Sequence, residues 1–446
     1  MLPTLPGVAN LGSKLRVEFR MSVMQKRVFR VGLLLILPIL IALSCWGSPA
    51  VALTEEQKLV SEAWRIVNRV YLDDTFNHQS WAAVRQKLLK QPLKDQEAAY
   101  NAIQQMVASL DDPFTRLLRP EQYRGLKVST SGELTGVGLQ IALNPDTGHL
   151  EVVAPIAGSP AEKAGIRPRD RILQIDGIST AELTIEEAAA RMRGPIGSGV
   201  TLTVERDGEA LGEMALVRSR IAVNPVVAQL RSVPGKVPIG YIRLNQFNAN
   251  ATAELAHAIA HLEQQGADAY ILDLRNNPGG LLQAGIEIAR LWLDAGTIVY
   301  TVNRQGIQGS FDAVGSALTS DPLVVLVNQG TASASEILAG ALQDNGRAQM
   351  VGETTFGKGL IQSLFDLSDG SGLAVTVAKY ETPNHRDIHK IGITPDRMVA
   401  LKQITRDQVG TEADEQYQAA VELLTTDAVV AGMPGQSLVY PGGSRY

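Results

Sequence analysis

The sequence predicts a layered α/β fold preceded by a helical region and a small β-rich module. Three changes of pattern along the chain support this prediction. Apolar residues recur at helical spacing in residues 54–124, short β-rich stretches alternate with turns in 125–218, and buried strands alternate with helices from about 236. Alternation of the last kind is typical of a sheet covered by helices.

The segment before residue 53 has the pattern of a secretory signal peptide. A basic stub at 26–30 precedes the apolar run VGLLLILPILIALS (31–44), and small residues follow up to Ala52. The run is shorter than the roughly 20 residues of a membrane span. We expect cleavage after Ala52 and export of the mature chain; an uncleaved anchor is the alternative, and translation starting at Met21 would preserve the signal.

Charge and cysteine content exclude several classes of function. Removing residues 1–52 takes away six basic residues and one acidic residue, which leaves 35 basic and 45 acidic residues. No basic cluster remains, so we expect no nucleic-acid partner. The only cysteine, Cys45, lies in the signal segment, so we expect neither a disulfide nor a cysteine metal site in the mature chain.

The individual elements follow from local patterns. Helical stretches are predicted at 54–72 and 101–118, the second broken at Asp112-Pro113. SPAEKAG (159–165) predicts a short helix capped by its serine and ended by its glycine. Core strands are predicted at IGYIRL (239–244), AYILDLR (269–275), TIVYTV (297–302) and LVVLVN (323–328), with helices at 251–265, 281–293 and 414–424.

The histidines do not indicate a metal site. His257 and His261 lie four residues apart, but the apolar residues of this helix fall on its other face, so both histidines are predicted to be solvent-exposed. His385 and His389 share the spacing in what reads as a loop or strand edge. We predict no metal and no cofactor.

NQGTASASEILAG (328–340) raises the question of a nucleophile. Ser333 and Glu336 fit a capping box, in which a serine only starts a helix. The same position suits a nucleophile, because a helix N-terminus offers N–H groups to a developing oxyanion. Ser335 and Thr331 are rivals that the local sequence leaves open.

Lys358, in GETTFGKGLIQS (352–363), is the candidate base. A lysine acting near neutral pH needs its pKa lowered by roughly three units from about 10.4, at a cost on the order of 4 kcal/mol, and burial among apolar residues can achieve this. In a strand, Lys358, Leu360 and Gln362 share one face, so Gln362 could orient the amine. A surface lysine in a hairpin is the alternative.

Two glycine-containing stretches could bind substrate through backbone N–H groups. DLRNNPGG (273–280) follows a buried strand and could form an oxyanion hole, although such a sequence is often only a turn. GVGLQI (136–141) could hold a C-terminal carboxylate while a peptide adds along the strand edge. A β module that only packs is the alternative for the second stretch.

The motifs together resemble those of the carboxyl-terminal-processing (tail-specific) serine proteases. The similarity extends over about residues 55–425 and keeps the family's order. The motifs are GVGLQI…SPAEKAGIRPRDRILQIDG, YIRLNQF, DLRNNPGG, NQGTASASEILAGALQD, GETTFGKGLIQS and TPNHRDIHKIGITPD.

This resemblance implies a crotonase-like layered α/β protease core with a helical N-terminal region and an inserted PDZ domain. The implied divisions are a signal peptide (1–52), the helical region (53–124), the PDZ domain (125–218), the protease core (219–425) and a C-terminal tail (426–446).

The resemblance also implies roles for single residues. The family's lysine follows its serine by 25 residues, which selects Ser333 as nucleophile and Lys358 as base. Gln362 becomes the third member, and the implied oxyanion donors are the N–H groups of Gly279 and Ala334. The implied substrate-binding residues of the PDZ domain are Gly136, Val137, Gly138, Leu139 and Arg193.

PNHRDIHKIGITPD (383–396) is more similar to the cyanobacterial and chloroplast enzymes than to other bacterial members of the family. The implied substrate is therefore the photosystem II reaction-centre core precursor, a membrane-embedded protein with an exported C-terminal tail. The implied location is the thylakoid lumen or the periplasm. The alternatives are a general periplasmic tail-specific protease, a non-catalytic PDZ scaffold and a crotonase-like acyl-CoA enzyme.

Overall fold

A computed structural model describes residues 53–144, 147–156, 158–231, 237–400, 402, 404–405 and 408–431. The predicted signal peptide and the tail beyond 431 lie outside these residues. By its internal contacts the chain divides into residues 1–55 and 56–446, and the description below concerns the second unit. Within the described part of the chain, every helix is too short or too polar to span a membrane.

The N-terminal region is helical, as predicted, and packs around its own apolar core. Ser80 and Asp95 cap the second and third helices by accepting N–H groups with their side chains. The predicted helix over 101–118 is wrong in its last part, because Arg116–Leu118 forms a strand that pairs with Gly372–Ala374. The elements are α1 (Glu55–Val70), α2 (Trp81–Leu89), α3 (Gln96–Ala108), β1 (Arg116–Leu118) and α4 (Pro120–Ser131).

The next module is a sheet of short antiparallel strands with two helices. Ser159 accepts the Glu162 N–H at 3.2 Å and Pro160 takes the first helical position, so the predicted short helix is confirmed. The elements are β2 (Glu133–Gly136), β3 (Leu139–Leu143), β4 (Leu150–Pro155), α5 (Pro160–Lys163), β5 (Arg171–Ile175), β6 (Ile178–Ser179), α6 (Ile185–Met192), β7 (Gly199–Arg206), β8 (Glu209–Val217) and β9 (Ser219–Ala222).

Strand pairing separates this module from the rest of the chain. Its sheet has the order β3-β4-β5-β7-β8, with β6 on β5, and β3 lies at the edge. β2 and β9 pair with each other instead, so the chain enters and leaves the module as a two-stranded ribbon. Residue 125 lies within α4, and residue 218 lies between β8 and β9.

The core contains two further sheets, and the predicted core strands and helices are confirmed. Its strands are β10 (Val226–Arg231), β11 (Ile239–Leu244), β12 (Ala269–Asp273), β13 (Thr297–Asn303), β14 (Gly306–Asp312), β15 (Leu323–Val327), β16 (Gln349–Gly352), β17 (Leu360–Asp366), β18 (Gly372–Glu381) and β19 (Arg397–Met398). Its helices are α7 (Ala251–Gln264), α8 (Leu282–Arg290), α9 (Ala334–Asp344) and α10 (Glu415–Ala431).

The first core sheet has the order β10-β11-β12-β15-β16-β19 and is parallel except for β10. Its central strands are buried on both faces, as parallel sheets usually are. One face packs on α10 through residues such as Ile271 and Leu424, and the other packs on α7, α8 and α9 through residues such as Leu272 and Leu338. The result is a layered α/β core, as predicted.

The second core sheet has the order β1-β18-β13-β14, and β17 pairs with the other edge of β18. Tyr380 on β18 and Val299 on β13 are buried in the same apolar cluster as α9. This sheet therefore lies against the helix that begins directly after Ser333.

Candidate active site

The candidate site lies where three neighbouring parallel strands end. β12, β15 and β16 are adjacent in the sheet, and their carboxyl ends lead to Gly279, Ser333 and Lys358 respectively. Ligands of open α/β sheets bind at this end of the strands, because the loops from neighbouring strands converge there. Residues far apart in sequence thereby come to one place.

Ser333 has an unusual backbone conformation directly before α9. Its φ of 57° and ψ of −118° are rarely adopted by a non-glycine residue, and such strain is concentrated at functional sites. The predicted capping box is present: the Glu336 carboxylate accepts the Ser333 N–H at 2.9 Å, while the Ser333 hydroxyl faces the Glu336 N–H without making a full hydrogen bond. The buried Tyr380 hydroxyl donates to the Ser333 carbonyl at 3.2 Å.

The two rival nucleophiles have structural roles. Ser335 is fully buried and donates its hydroxyl to the Asn277 carbonyl at 3.0 Å. Thr331 is also fully buried and donates to the Leu274 carbonyl at 2.9 Å. Both hydroxyls tie the loop after β15 to the loop after β12, so neither faces the cleft described below.

Glu336 is a central residue that the sequence interpretation treated only as half of a capping box. Its fully buried carboxylate accepts four hydrogen bonds. One oxygen takes the backbone N–H groups of Ser333 and Lys358 at 2.9 and 2.8 Å. The other takes the Thr355 hydroxyl and the Gly357 N–H at 2.6 and 2.7 Å. One carboxylate thus fixes the backbones of both Ser333 and Lys358.

Lys358 is half-buried, and its ammonium nitrogen lies 5.1 Å from the centre of the Phe114 ring. No described residue accepts a hydrogen bond from this nitrogen or forms an ion pair with it. Burial, and secondly the charge of Arg116, lower the pKa of Lys358 below the usual lysine value, while Glu336 and Asp112 partly oppose this. These are the surroundings that a lysine base requires.

A single cleft of about 540 Å³ brings the predicted catalytic residues together. Gly279, Ser333, Ala334, Lys358 and Gln362 all line it. The structure thus assembles in one place every residue to which the resemblance gave a catalytic role.

Gln362 does not hold the lysine amine through a hydrogen bond in this structure. Its side-chain amide donates instead to the Thr376 hydroxyl, at a long 3.5 Å. The strand β17 begins at Leu360, after Lys358, and its pairing with β18 shifts register between Ile361 and Gln362. The strict two-residue alternation that we assumed for this stretch therefore does not apply, although Lys358 and Gln362 still face the same cleft.

Gly279 approaches the backbone of the serine loop closely. Its φ is +93°, and a Cβ there would lie 2.7 Å from the Ala332 carbonyl oxygen and 2.8 Å from the Ala334 nitrogen. Only glycine fits so close to the serine loop. The Gly279 N–H donates to the side-chain oxygen of Asn277 at 2.9 Å. Asn277 is fully buried.

A buried ion-pair group anchors the loop after β12. Arg275 is 3% exposed at its side chain and lies between Asp273 and Asp414, with a contact of 2.7 Å to each. Tyr241 adds a hydrogen bond of 2.7 Å to Asp273. Because Asp414 directly precedes α10, the C-terminal helix is fixed to the loop that carries Gly279. Sequence patterns did not indicate this group, since Arg275 and Asp414 are 139 residues apart.

The predicted tail-binding residues lie in the β2–β9 module and do not line the cleft around Ser333. Gly138 has a φ of +77°, and a Cβ there would lie 2.3 Å from the Ser159 Cβ, so the loop requires glycine. Gly136 ends β2, Val137 precedes Gly138 in the connection, and Leu139 begins the edge strand β3. An extended peptide can pair with such an edge.

Arg193 lies at the C-terminus of α6, and its side chain donates to the Ala189 carbonyl at 3.2 Å. It lines a separate depression together with Arg124 of α4. On α4, Leu126 and Thr130 line the cleft around Ser333. Arg193 therefore contacts none of the predicted catalytic residues, and α4 lies between the two regions.

The predicted exposure of the two histidines on α7 is confirmed. His257 and His261 are both exposed on α7. Among the described residues, no group of three or more histidine, cysteine, aspartate and glutamate side chains is arranged to hold a metal ion.

Comparison with known proteins places this chain among proteases. Residues 238–399 match the model of peptidase family S41, and residues 151–206 match that of a PDZ domain. The chain is 63% identical over 384 residues to a carboxyl-terminal-processing protease of Synechocystis sp., covering 86% of this chain and 90% of the relative. It is 48% identical over 395 residues to the chloroplastic carboxyl-terminal-processing peptidase 2 of Arabidopsis thaliana, covering 86% of this chain and 76% of the relative.

A solved structure is similar over most of the same length. It is that of a photosystem II D1 C-terminal processing protease, with 42% identity and a TM-score of 0.53, covering 81% of this chain and 98% of that chain.

Proposed function

The chain belongs to the carboxyl-terminal-processing serine peptidases of family S41, and from this we propose that it matures the photosystem II D1 precursor by removing its C-terminal extension. The observation that carries the proposal is that Ser333, Lys358 and the backbone of Gly279 line one cleft. The name of the similar solved structure supports D1 as the substrate.

In the proposed reaction Lys358, as the neutral amine, takes the proton from the Ser333 hydroxyl. The serine oxygen attacks the carbonyl carbon of the scissile peptide bond, and Lys358 then gives its proton to the leaving amine. The lowered pKa of Lys358 supports this role, because a lysine with an ordinary pKa would be protonated near neutral pH. In the second half of the reaction, Lys358 takes a proton from water, and the water oxygen attacks the acyl carbonyl carbon. The Ser333 oxygen then leaves and takes up the proton from Lys358.

The oxyanion would be stabilised by the N–H groups of Ala334 and Gly279. Ala334 occupies the first position of α9, where an N–H has no acceptor within its own helix. The Gly279 N–H is already donated to Asn277, so an oxyanion has to share or displace that bond. In the proposed mechanism Ala334 is therefore the readier of the two donors.

The loop of residues 136–139 and the edge of β3 are the proposed binding site for the substrate's C-terminal end. Supporting this are the glycine geometry of the loop and the match to a PDZ domain. We assign Gln362 to the polar wall of the cleft and Arg193 to the α4-facing side of the PDZ module, where it is placed to affect α4 and hence the cleft.

The proposed setting follows from the substrate. D1 is a membrane protein in this proposal, and its tail would be cut on the exported side, in the thylakoid lumen or the periplasm. The predicted signal peptide at residues 1–52 supports this location.

The test is mass spectrometry of the D1 precursor, or a peptide of its tail, after incubation with the enzyme and, in parallel, with Ser333→Ala. One defined cut that is absent with Ser333→Ala is expected. Trimming of unrelated tails without a cut in D1 would replace the proposal by a general tail-specific protease. Failure to cut any peptide would leave a peptide-binding scaffold.

A further inference from the structure

The catalytic cleft is cationic. Among the described residues that line it, Arg116 carries a charge, Lys358 carries one only when it is protonated, and no carboxylate reaches the wall. Glu336 lies behind the site and is fully buried, with both oxygens engaged in hydrogen bonds. The positive charge is local, because the chain as a whole has a net charge of −5. A cleft of one sign attracts ligand groups of the other sign.

The strand register explains how Arg116 comes to face this cleft. Arg116 on β1 is opposite Ala374 on β18, and Ala374 is in turn opposite Leu364 on β17. Residues that are opposite each other in a sheet point to the same face, and all three line the cleft. With neighbouring strands about 4.8 Å apart, Arg116 lies roughly two strand spacings from the strand that carries Gln362.

The guanidinium of Arg116 has no carboxylate partner among the described residues. Its one hydrogen bond, to the Phe114 carbonyl, is long at 3.5 Å. Arg119, three residues on, shows the usual arrangement: its guanidinium binds both carboxylate oxygens of Glu97, at 2.6 and 2.8 Å. The exposed Arg116 side chain lines the cleft, so its planar guanidinium can offer a pair of donors to a carboxylate bound there.

We infer that Arg116 determines substrate specificity by binding the carboxylate of an acidic side chain that lies within a few residues of the scissile bond. The inference rests on the proposed function. The other source of a carboxylate is the terminal one of the substrate, which the proposed function assigns to the loop of residues 136–139. Arg116 and Lys358 line the same cleft, and the charge of Arg116 contributes to the lowered pKa of Lys358.

The test is a cycle of enzyme and peptide variants. A peptide with a cleavable bond is made in pairs that differ only by Asp or Asn, at each of three positions on either side of the bond. The ratio of kcat/KM for the two members is measured with the wild type, with Arg116→Gln and with Arg119→Gln. Because both peptides of a pair are measured with the same enzyme at one pH, their ratio does not depend on any change that the variant makes to the pKa of Lys358.

At one or two positions the wild type should favour Asp by about five- to tenfold, as expected for a charged pair that is partly shielded from water. Arg116→Gln should bring that ratio to about one, and Arg119→Gln should leave it unchanged. Arg116→Glu should reverse the preference, in favour of a Lys-containing peptide at the same position. Circular dichroism and the melting temperature check that each variant is folded.

Equal Asp to Asn ratios in the wild type and Arg116→Gln at every position would overturn the inference. So would a dependence on Arg116 that disappears when the peptide's terminal carboxylate is amidated, because the bound group would then be the terminal one. A wild-type enzyme that cuts none of the peptides, including the neutral ones, would instead count against the proposed function, since Asn peptides do not need Arg116.

Discussion

Ser333 and Lys358 donate their backbone N–H groups to the same carboxylate oxygen of Glu336, at 2.9 and 2.8 Å. The two loops that follow β15 and β16 are therefore held by one atom. A change in that carboxylate should therefore displace both Ser333 and Lys358, so Glu336 is the residue to substitute in testing how the two are positioned.

Glu336→Gln should reduce kcat at least about a hundredfold while the protein still folds. A glutamine amide has one accepting oxygen, so its NH₂ would face two backbone or hydroxyl donors, and each unsatisfied buried group costs about 1–3 kcal/mol. The measurements are kcat, the melting temperature and the rate at which a serine-reactive probe labels Ser333. A labelling rate equal to that of the wild type would contradict the positioning role.

Ser333→Ala and Ser335→Ala should have opposite effects. The first should abolish cleavage and leave stability nearly unchanged, because the hydroxyl makes no full hydrogen bond to a described residue. The second should retain activity within a few fold and lose about 1 kcal/mol of stability with its hydrogen bond to Asn277. Steady-state kinetics and urea unfolding of both variants test this pair, and a dead but stable Ser335→Ala would reopen the choice of nucleophile.

The pH profile should report on Lys358. Because the proposed mechanism uses the neutral amine as the base, kcat/KM should rise with pH as Lys358 loses its proton, at a pKa below that of an ordinary lysine. Arg116→Gln removes a neighbouring positive charge, which should raise this pKa and move the rising limb to higher pH. Asp112→Asn removes a negative charge that opposes the shift, and should move the limb to lower pH.

These two shifts have to differ in sign. The profiles are recorded with a neutral peptide, so that a substrate carboxylate does not contribute. If the rising limbs of Arg116→Gln and Asp112→Asn move in the same direction, something other than the charge around Lys358 controls the rate.

Gly279→Ala should abolish catalysis, with a loss of at least about a hundredfold in kcat, which is typical of removing an oxyanion donor. The added Cβ would lie 2.9 Å from the Ser333 Cβ, and the φ of +93° is unfavourable for alanine. Gly370→Ala is the matched control, since its φ is +86° but a Cβ there would meet no atom within 4 Å beyond its chain neighbours. It should show the backbone cost of roughly 1–2 kcal/mol with full activity.

If Gly370→Ala also loses activity in proportion to its stability, the effect at Gly279 is one of folding rather than of the oxyanion hole. Kinetics measured well below both melting temperatures separate the two explanations.

Much of the architecture was predictable because its signals are local. The core strands are short runs of buried β-branched residues, and the helix at Pro160 carries its own cap in Ser159. The strand at Arg116 was missed because it has three residues and exists only through pairing with β18, more than 250 residues away in sequence. Because this strand was missed, the position of Arg116 in the cleft was not predicted either.

The site was predictable only in part for the same reason. The family spacing of 25 residues selected Ser333 and Lys358, but nothing near Glu336 in sequence shows that its carboxylate also reaches Gly357 and Lys358. Likewise, the anchoring of Arg275 by Asp414 depends on where α10 packs on the sheet. Contacts of this kind arise from the tertiary fold and leave no local pattern.

The convergence of three strand ends has a consequence for the life of the chain before it is folded. In the proposed mechanism Ser333 is an ordinary alcohol, and Lys358 an ordinary ammonium, until β12, β15 and β16 lie side by side and the second sheet covers the lysine. A newly made or partly translocated polypeptide is therefore harmless to itself and to its neighbours. In the proposed mechanism its proteolytic activity arises together with its native structure.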